Sequence, residues 1–199
     1  MVDNYPPDIY NAGYRRINDM EKNNTKMMVL TALMAAVICV LSPFSIPIGP
    51  VPVSLQVLAV LLSVYLLGGK YGTLAYVIYL LIGLLGVPVF SGFQGGFQKL
   101  AGPTGGYLIG MIFMAVIAGW FIDHFMEQIP LQAAGIILGI CVCYAFGTAW
   151  LMAQTKMAAG PALMAGVIPF IPFDLMKMVI AILIGRPVRS RIRPMLQAG

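Results

Sequence analysis

Two ionisable residues, Asp174 and Lys177, stand three positions apart at the start of an apolar segment near the C-terminus. Residues three apart on a helix share a face, so the carboxylate and the ammonium can point to one place. Ionisable groups at membrane depth are costly and are usually functional. The pair either ties a helix end or faces a ligand. In the second case Asp174 accepts two N–H bonds, and Lys177 donates to a carbonyl or carboxylate.

Other polar side chains interrupt the apolar sequence. Gln56 and Gln94 offer donors and acceptors at the end of a predicted span and within a glycine-rich loop. Lys99 is the single cation of that loop and either meets an anionic group or is a solvated loop charge. Tyr144 lies inside a predicted span, where amphipathic aromatic residues are common without any ligand.

These residue types do not form a catalytic constellation. His124 is the only histidine, which excludes a histidine-rich metal cluster, and we expect no metal site. The sequence contains no nucleotide-binding P-loop. Cys39, Cys141 and Cys143 all lie in apolar runs, so we interpret them as small packing residues and not as a disulfide framework.

The composition is typical of a polytopic membrane protein. Of 199 residues, 60% are hydrophobic and 10% are charged, whereas soluble domains carry about 25% charged residues. Four intervals of 43, 28, 23 and 28 residues contain no charge, and prolines divide the first of them. Because one spanning helix needs about 20 apolar residues, the sequence predicts six spans, at about 26–42, 54–67, 71–85, 104–125, 131–155 and 173–184.

The distribution of basic residues predicts the orientation. Six spans put both termini on one side of the membrane, and nine lysines and arginines lie on that side against two, Lys99 and Lys156, on the other. By the positive-inside rule both termini are cytoplasmic. The connections 43–54, 86–103 and 157–172, rich in proline and glycine, then lie outside. We expect these ordered outer loops to cover a ligand pocket.

The segment from Gly86 to Gly110 is rich in glycine and contains Pro88 and Pro103, so it cannot be a continuous helix. Non-helical backbone at membrane depth survives only where protein or a water-filled cavity covers it. The segment is therefore either a wall or lid of a polar site, or a plain extramembrane loop.

Small residues mark one helix face in the first span, where Ala32 and Ala36 are four apart. This spacing makes a shallow groove that another helix can approach closely. The approaching helix is either a neighbouring span of this chain or a partner.

Four segments resemble the biotin-specific S components of energy-coupling-factor transporters, the BioY family. They are Pro50-Val-Pro-Val-Ser-Leu-Gln56, Gly86-Val-Pro-Val-Phe-Ser-Gly92, Leu100-Ala-Gly-Pro-Thr-Gly-Gly-Tyr-Leu-Ile-Gly110 and Pro169-Phe-Ile-Pro-Phe-Asp-Leu-Met-Lys177. The resemblance divides the chain into a polar extension at 1–25, a six-helix substrate-binding domain at 26–190 and a basic cytoplasmic tail at 191–199.

The resemblance implies an all-α membrane protein that binds biotin at its outer face in the plasma membrane of a prokaryote, without a cofactor of its own. It implies a transmembrane coupling subunit, which would contact Ala32 and Ala36, and two cytoplasmic ATPase subunits that use ATP. Asp174 with Lys177 would bind the ureido group, and Gln94 stands where the family often has a polar residue. Some members carry arginine where this sequence has Leu108, so Lys99 or the backbone N–H groups of Gly95 and Gly96 would bind the carboxylate.

Three other functions compete with this interpretation. The same scaffold can bind another small vitamin. An intramembrane enzyme using Asp174 and His124 would need groups that the predicted spans put about 30 Å apart. A channel would need a ring of charge or a repeated filter, and neither is visible in the sequence.

Overall fold

The computed structural model describes residues 7–48 and 51–197. In this part of the chain the secondary structure is helical apart from one short β-hairpin and an isolated β-bridge between Phe90 and Gln94. The hairpin pairs β1 with β2 in antiparallel register, Ser45 opposite Ser54 and Ile48 opposite Val51. The elements in order are α1 (Pro7–Leu41), β1 (Ser45–Ile48), β2 (Val51–Ser54), α2 (Gln56–Leu84), α3 (Phe97–Ala101), α4 (Gly105–His124), α5 (Ile129–Thr155), α6 (Ala159–Gly166) and α7 (Ile171–Gln197).

Helices α1, α2, α4 and α5 each contain a segment long and apolar enough to cross a membrane. Helix α6 and the first part of α7, bent by 41° at a short break, pass the same test together as a fifth span. The chain is therefore a multi-pass membrane protein, as the composition predicted.

Helix α2 folds back on itself at Gly68, whose backbone is not helical (φ 84°, ψ 170°). Gln56 Nε2 donates to the Tyr76 hydroxyl at 3.3 Å, whereas twenty residues of continuous helix would separate them by about 30 Å. Ser63 Oγ likewise donates to the carbonyl of Gly72 at 3.2 Å. The two arms of α2 correspond to the second and third predicted spans.

The core is formed where α2, α4 and α5 pack closely. A Cβ atom on Gly110 would lie 3.0 Å from Cys143 Cα, and one on Gly139 would lie 3.0 Å from the carbonyl oxygen of Met114. Cys143 is buried and not disulfide-bonded, in agreement with its predicted packing role.

Both terminal segments are more helical than the sequence indicated. Helix α1 begins at Pro7, because proline suits the first helical position. The helix then continues across the boundary expected near residue 25. Helix α7 continues through Gly185 and Pro187 to Gln197, so the predicted helix end at Ile184 is wrong. The basic tail at 191–199 stays a prediction. A larger residue does not fit at Gly185, because a Cβ there would lie 2.6 Å from Tyr65 Cβ.

The two ends of the helical bundle differ. The connections near Pro43, Gly92 and Gly166 gather at one end, which we call the loop end, where Gly92 N donates to the Pro43 carbonyl at 3.0 Å. At the opposite end, the polar end, Arg189 forms an ion pair with Asp123. The second carboxylate oxygen of Asp123 accepts the N–H of Gly69 at 2.8 Å. This network joins α2, α4 and α7 at the polar end.

Candidate functional site

A cavity opens at the loop end and holds about 60 Å³. All three proline- and glycine-rich connections contribute to its walls, together with α2, α4, α5 and α7. The lining residues are Val51, Pro52, Ser54, Gln56, Val57, Ser91, Lys99, Thr104, Tyr107, Leu108, Met111, Tyr144, Gly166, Phe170, Asp174 and Lys177.

Asp174 forms the centre of the polar wall. It lies in the first turn of α7, is 5% exposed, and receives one donor on each carboxylate oxygen. Lys177 Nζ donates to Oδ1 at 2.8 Å, and the Tyr144 hydroxyl donates to Oδ2 at 2.7 Å. An ionised carboxylate has about four acceptor positions, so two remain for donors of a ligand. The Asp174–Lys177 pair thus ties the first turn of α7 and also lines the cavity.

Gln56 approaches the cavity from the start of α2 and is 3% exposed. Its Nε2 donates to the Tyr76 hydroxyl, which itself donates to the Leu108 carbonyl at 2.7 Å. The chain of bonds fixes the amide plane of Gln56 without using its carbonyl oxygen, so Gln56 can present an acceptor to the cavity.

Lys99 provides a second cation on the cavity wall. Its Nζ donates to Gln94 Oε1 at 2.8 Å, and no carboxylate of the described residues pairs with it. Partial burial lowers the pKa of the Lys99 ammonium below its ordinary value. With Asp174 balanced by Lys177, the charged residues lining the cavity sum to one positive charge. This balance suits a ligand with one negative charge.

The structure places the other loop candidates outside this cavity. Gln94 and Gly95 line a second, more open cavity, with Lys99 and Thr104 shared between the two. The N–H of Gly96 donates to the Gly83 carbonyl at 2.7 Å. It is therefore engaged, and Gly96 lines neither cavity. The N–H of Gly96 is thus a poorer candidate for anion binding than Lys99.

Several lining residues were not among the sequence candidates. Thr104 is 8% exposed, and its side chain makes no cap hydrogen bond at the start of α4. Ser54 and Ser91 also line the cavity. Their position in the loop segments 43–54 and 86–103 was the available signal, but hydroxyl residues are common in loops of any function.

The glycines next to Thr104 allow close packing. A Cβ on Gly105 would lie 1.6 Å from the Leu100 carbonyl oxygen, and one on Gly106 would lie 2.2 Å from Trp150 Cβ. Trp150 Nε1 donates to the Gly102 carbonyl at 2.9 Å. The segment Gly102-Pro-Thr-Gly-Gly-Tyr107 therefore seals the loop end against α5 and brings Thr104 and Tyr107 to the cavity.

Ala32 and Ala36 do not line the cavity, and both are exposed. Val29, Leu33 and Val40 on the same part of α1 are exposed as well. The small-residue groove thus faces away from the bundle, so a neighbouring span of this chain does not occupy it.

His124 and Asp174 do not share a site. His124 Nδ1 lies 2.8 Å from the Trp120 carbonyl at the polar end, whereas Asp174 lines the cavity at the loop end. Joint catalysis by these two residues is excluded by their positions.

The chain is similar to known proteins along most of its length. The BioY family model matches residues 16–194. The biotin transporter BioY of Thermotoga maritima is 42% identical over 159 residues, which cover 80% of this chain and 93% of that protein. The biotin transporter BioY of Rhizobium etli is 38% identical over 176 residues, covering 83% and 94%.

A solved structure shares the fold. The crystal structure at 2.1 Å of the S-component for biotin from an ECF-type ABC transporter matches with a TM-score of 0.78 and 30% identity, covering 85% of this chain and 93% of that one. Sequence and fold therefore agree along most of the chain, which belongs to the BioY family.

Proposed function

We propose that the chain is the high-affinity biotin-binding S component of an ECF-type vitamin transporter and not an enzyme. The observation that carries this proposal is the cavity at the loop end, in which a buried Asp174–Lys177 pair and a separate cation line one apolar space. Relatives named as biotin transporters and a solved biotin S component support the choice of ligand.

Biotin has one group for each polar part of the cavity. One ureido N–H donates to a remaining acceptor position of Asp174, the other donates to the free amide oxygen of Gln56, and the ureido carbonyl accepts from Lys177. The apolar thiophane ring packs against Met111 and Phe170, which line the same space. The carboxylate pairs with Lys99, since Leu108 offers no charge.

We also propose six membrane crossings, counting the two arms of α2 separately. In this arrangement the termini are cytoplasmic, and the loop end faces outward from the plasma membrane of a prokaryote. The excess of basic residues on the terminal side supports this orientation.

Uptake then requires partner proteins. We propose that a transmembrane coupling subunit packs on the exposed groove at Ala32 and Ala36, and that two cytoplasmic ATPase subunits supply energy. The exposure of both alanines in this chain supports the docking surface.

Titration of the purified protein with biotin, and with thiamine and riboflavin as competitors, tests the ligand. We expect biotin to bind, and Asp174→Asn to weaken it about ten- to a hundred-fold, because a charge-assisted hydrogen bond is worth about 1.5–3 kcal/mol.

Asp123→Asn is the matched control, since Asp123 is an ion-paired acid at the polar end. It should leave biotin affinity unchanged, and both variants should remain monodisperse. Unchanged affinity in a monodisperse Asp174→Asn protein would refute the assigned role, and preference for a competitor would refute biotin.

A further inference from the structure

The second cavity at the loop end adjoins the first. Lys99 and Thr104 line both spaces. The second cavity holds about 480 Å³. A molecule that reaches Lys99 from within the first cavity is therefore at the boundary of the second.

The chemistry of the second cavity differs from that of the first. Gln94 and Gln98 supply neutral amide groups, and the remaining lining residues are Gly95, Gly102 and Pro103. Such a surface can donate and accept hydrogen bonds, and its one ionisable residue is Lys99. It suits a polar, peptide-like group better than an apolar one.

We propose that the second cavity receives whatever extends beyond the carboxyl carbon of biotin, so that the protein also binds biotin amides such as ε-N-biotinyl-lysine. The inference rests on the proposed biotin function. The Lys99 ammonium can donate to an amide carbonyl as it does to a carboxylate, with a weaker bond because the acceptor is neutral. The lysine part of the conjugate then lies along Gln94 and Gln98.

Three ligands test this inference on the intact protein: biotin, biotin methylamide and ε-N-biotinyl-lysine. Both amides lack the carboxylate, but only the last extends into the second cavity. We expect the unaltered protein to bind ε-N-biotinyl-lysine within about ten-fold of biotin methylamide.

Gln98→Trp fills part of the second cavity from an exposed position on α3. We expect it to weaken ε-N-biotinyl-lysine by about ten-fold or more and the other two ligands by less than about two-fold. Phe97→Trp is the matched control, because Phe97 is the exposed neighbour and lines neither cavity. It should change none of the three affinities.

Two results would overturn the inference. One is binding of ε-N-biotinyl-lysine more than about a hundred-fold weaker than biotin methylamide in the unaltered protein. The other is a Gln98→Trp protein whose three affinities change equally or not at all. Failure of the unaltered protein to bind biotin would instead overturn the proposed function, so the two failures are distinguishable.

Discussion

Lys99 differs from Lys177 in what balances its charge. Lys177 is paired with Asp174 inside the cavity, whereas the partner of Lys99 is the neutral amide of Gln94. Partial burial makes the ammonium of Lys99 costly and lowers its pKa. A ligand carboxylate would restore the balance, and this makes Lys99 the best candidate for its partner.

The lowered pKa predicts how biotin binding depends on pH. Binding of the carboxylate needs the protonated ammonium, so affinity should fall as the pH rises through the lowered pKa of Lys99. Biotin methylamide carries no carboxylate and should lose much less affinity. Titrations with both ligands over an alkaline pH series measure how much more affinity biotin loses than biotin methylamide. Because both ligands share the ureido group, pH effects on the ureido site cancel in this comparison.

Lys99→Gln is the corresponding substitution. It should weaken biotin about ten-fold or more and biotin methylamide by less, because the neutral amide carbonyl accepts a weaker bond from Lys99. It should also remove the difference between their pH profiles. Equal losses for both ligands would exclude Lys99 as the carboxylate partner.

Site residues could be predicted from the sequence where a polar or charged side chain stands in an apolar segment, because burying such a group costs free energy. Asp174, Lys177 and Gln56 stand out in the sequence, and all three are buried at the cavity. Thr104 gives no such signal, because its position at the cavity depends on how the neighbouring glycines pack against Leu100 and Trp150. Gly96 was selected for a free N–H, but the acceptor that engages it, Gly83, belongs to another segment.

The turn at Gly68 determines how the two arms of α2 pack. Its backbone angles, φ 84° and ψ 170°, belong to a region that is essentially restricted to glycine. We expect Gly68→Ala to destabilise the protein by about 1–3 kcal/mol. Thermal unfolding in detergent should show this as a drop of about 2–4 °C for each kcal/mol.

Gly160→Ala is the control for that substitution. Gly160 lies in α6, and a Cβ there would have no atom within 4 Å. Its melting temperature should stay the same or rise slightly, because alanine favours a helix. Equal melting temperatures for both variants would show that the turn at Gly68 tolerates a side chain.

The elements follow hydrophobic patterning where that patterning is strong. The turn after Leu67 and the apolar helices were predictable from charge-free intervals and glycines. The end of α7 was not, because Gly185 and Pro187 usually stop a helix. Here Gly185 lets α7 approach Tyr65, and Arg189 beyond it donates to the Tyr65 carbonyl at 3.3 Å and pairs with Asp123. Tertiary contacts thus override the local signal.

The two ends of the molecule also predict its orientation in the cell. A cysteine replacing Ser91, at the loop end, should react with an impermeant thiol reagent added outside, and one replacing Arg191 should react only after the membrane is opened. Cys39, Cys141 and Cys143 must first be replaced, because all three are free thiols. The reverse labelling pattern would place the cavity on the cytoplasmic side.

The face of α1 that carries Ala32 and Ala36 is the proposed docking surface for the coupling subunit. Both alanines are exposed, so a larger side chain there can extend away from the described residues of this chain. Ala36→Trp should therefore leave biotin affinity within about two-fold of normal, but prevent co-purification with a coupling subunit by filling the groove. Val116→Trp, at an exposed position on α4, should retain the complex. A complex that survives Ala36→Trp would remove this face from the coupling interface, whereas loss of biotin binding would show that the face supports the cavity instead.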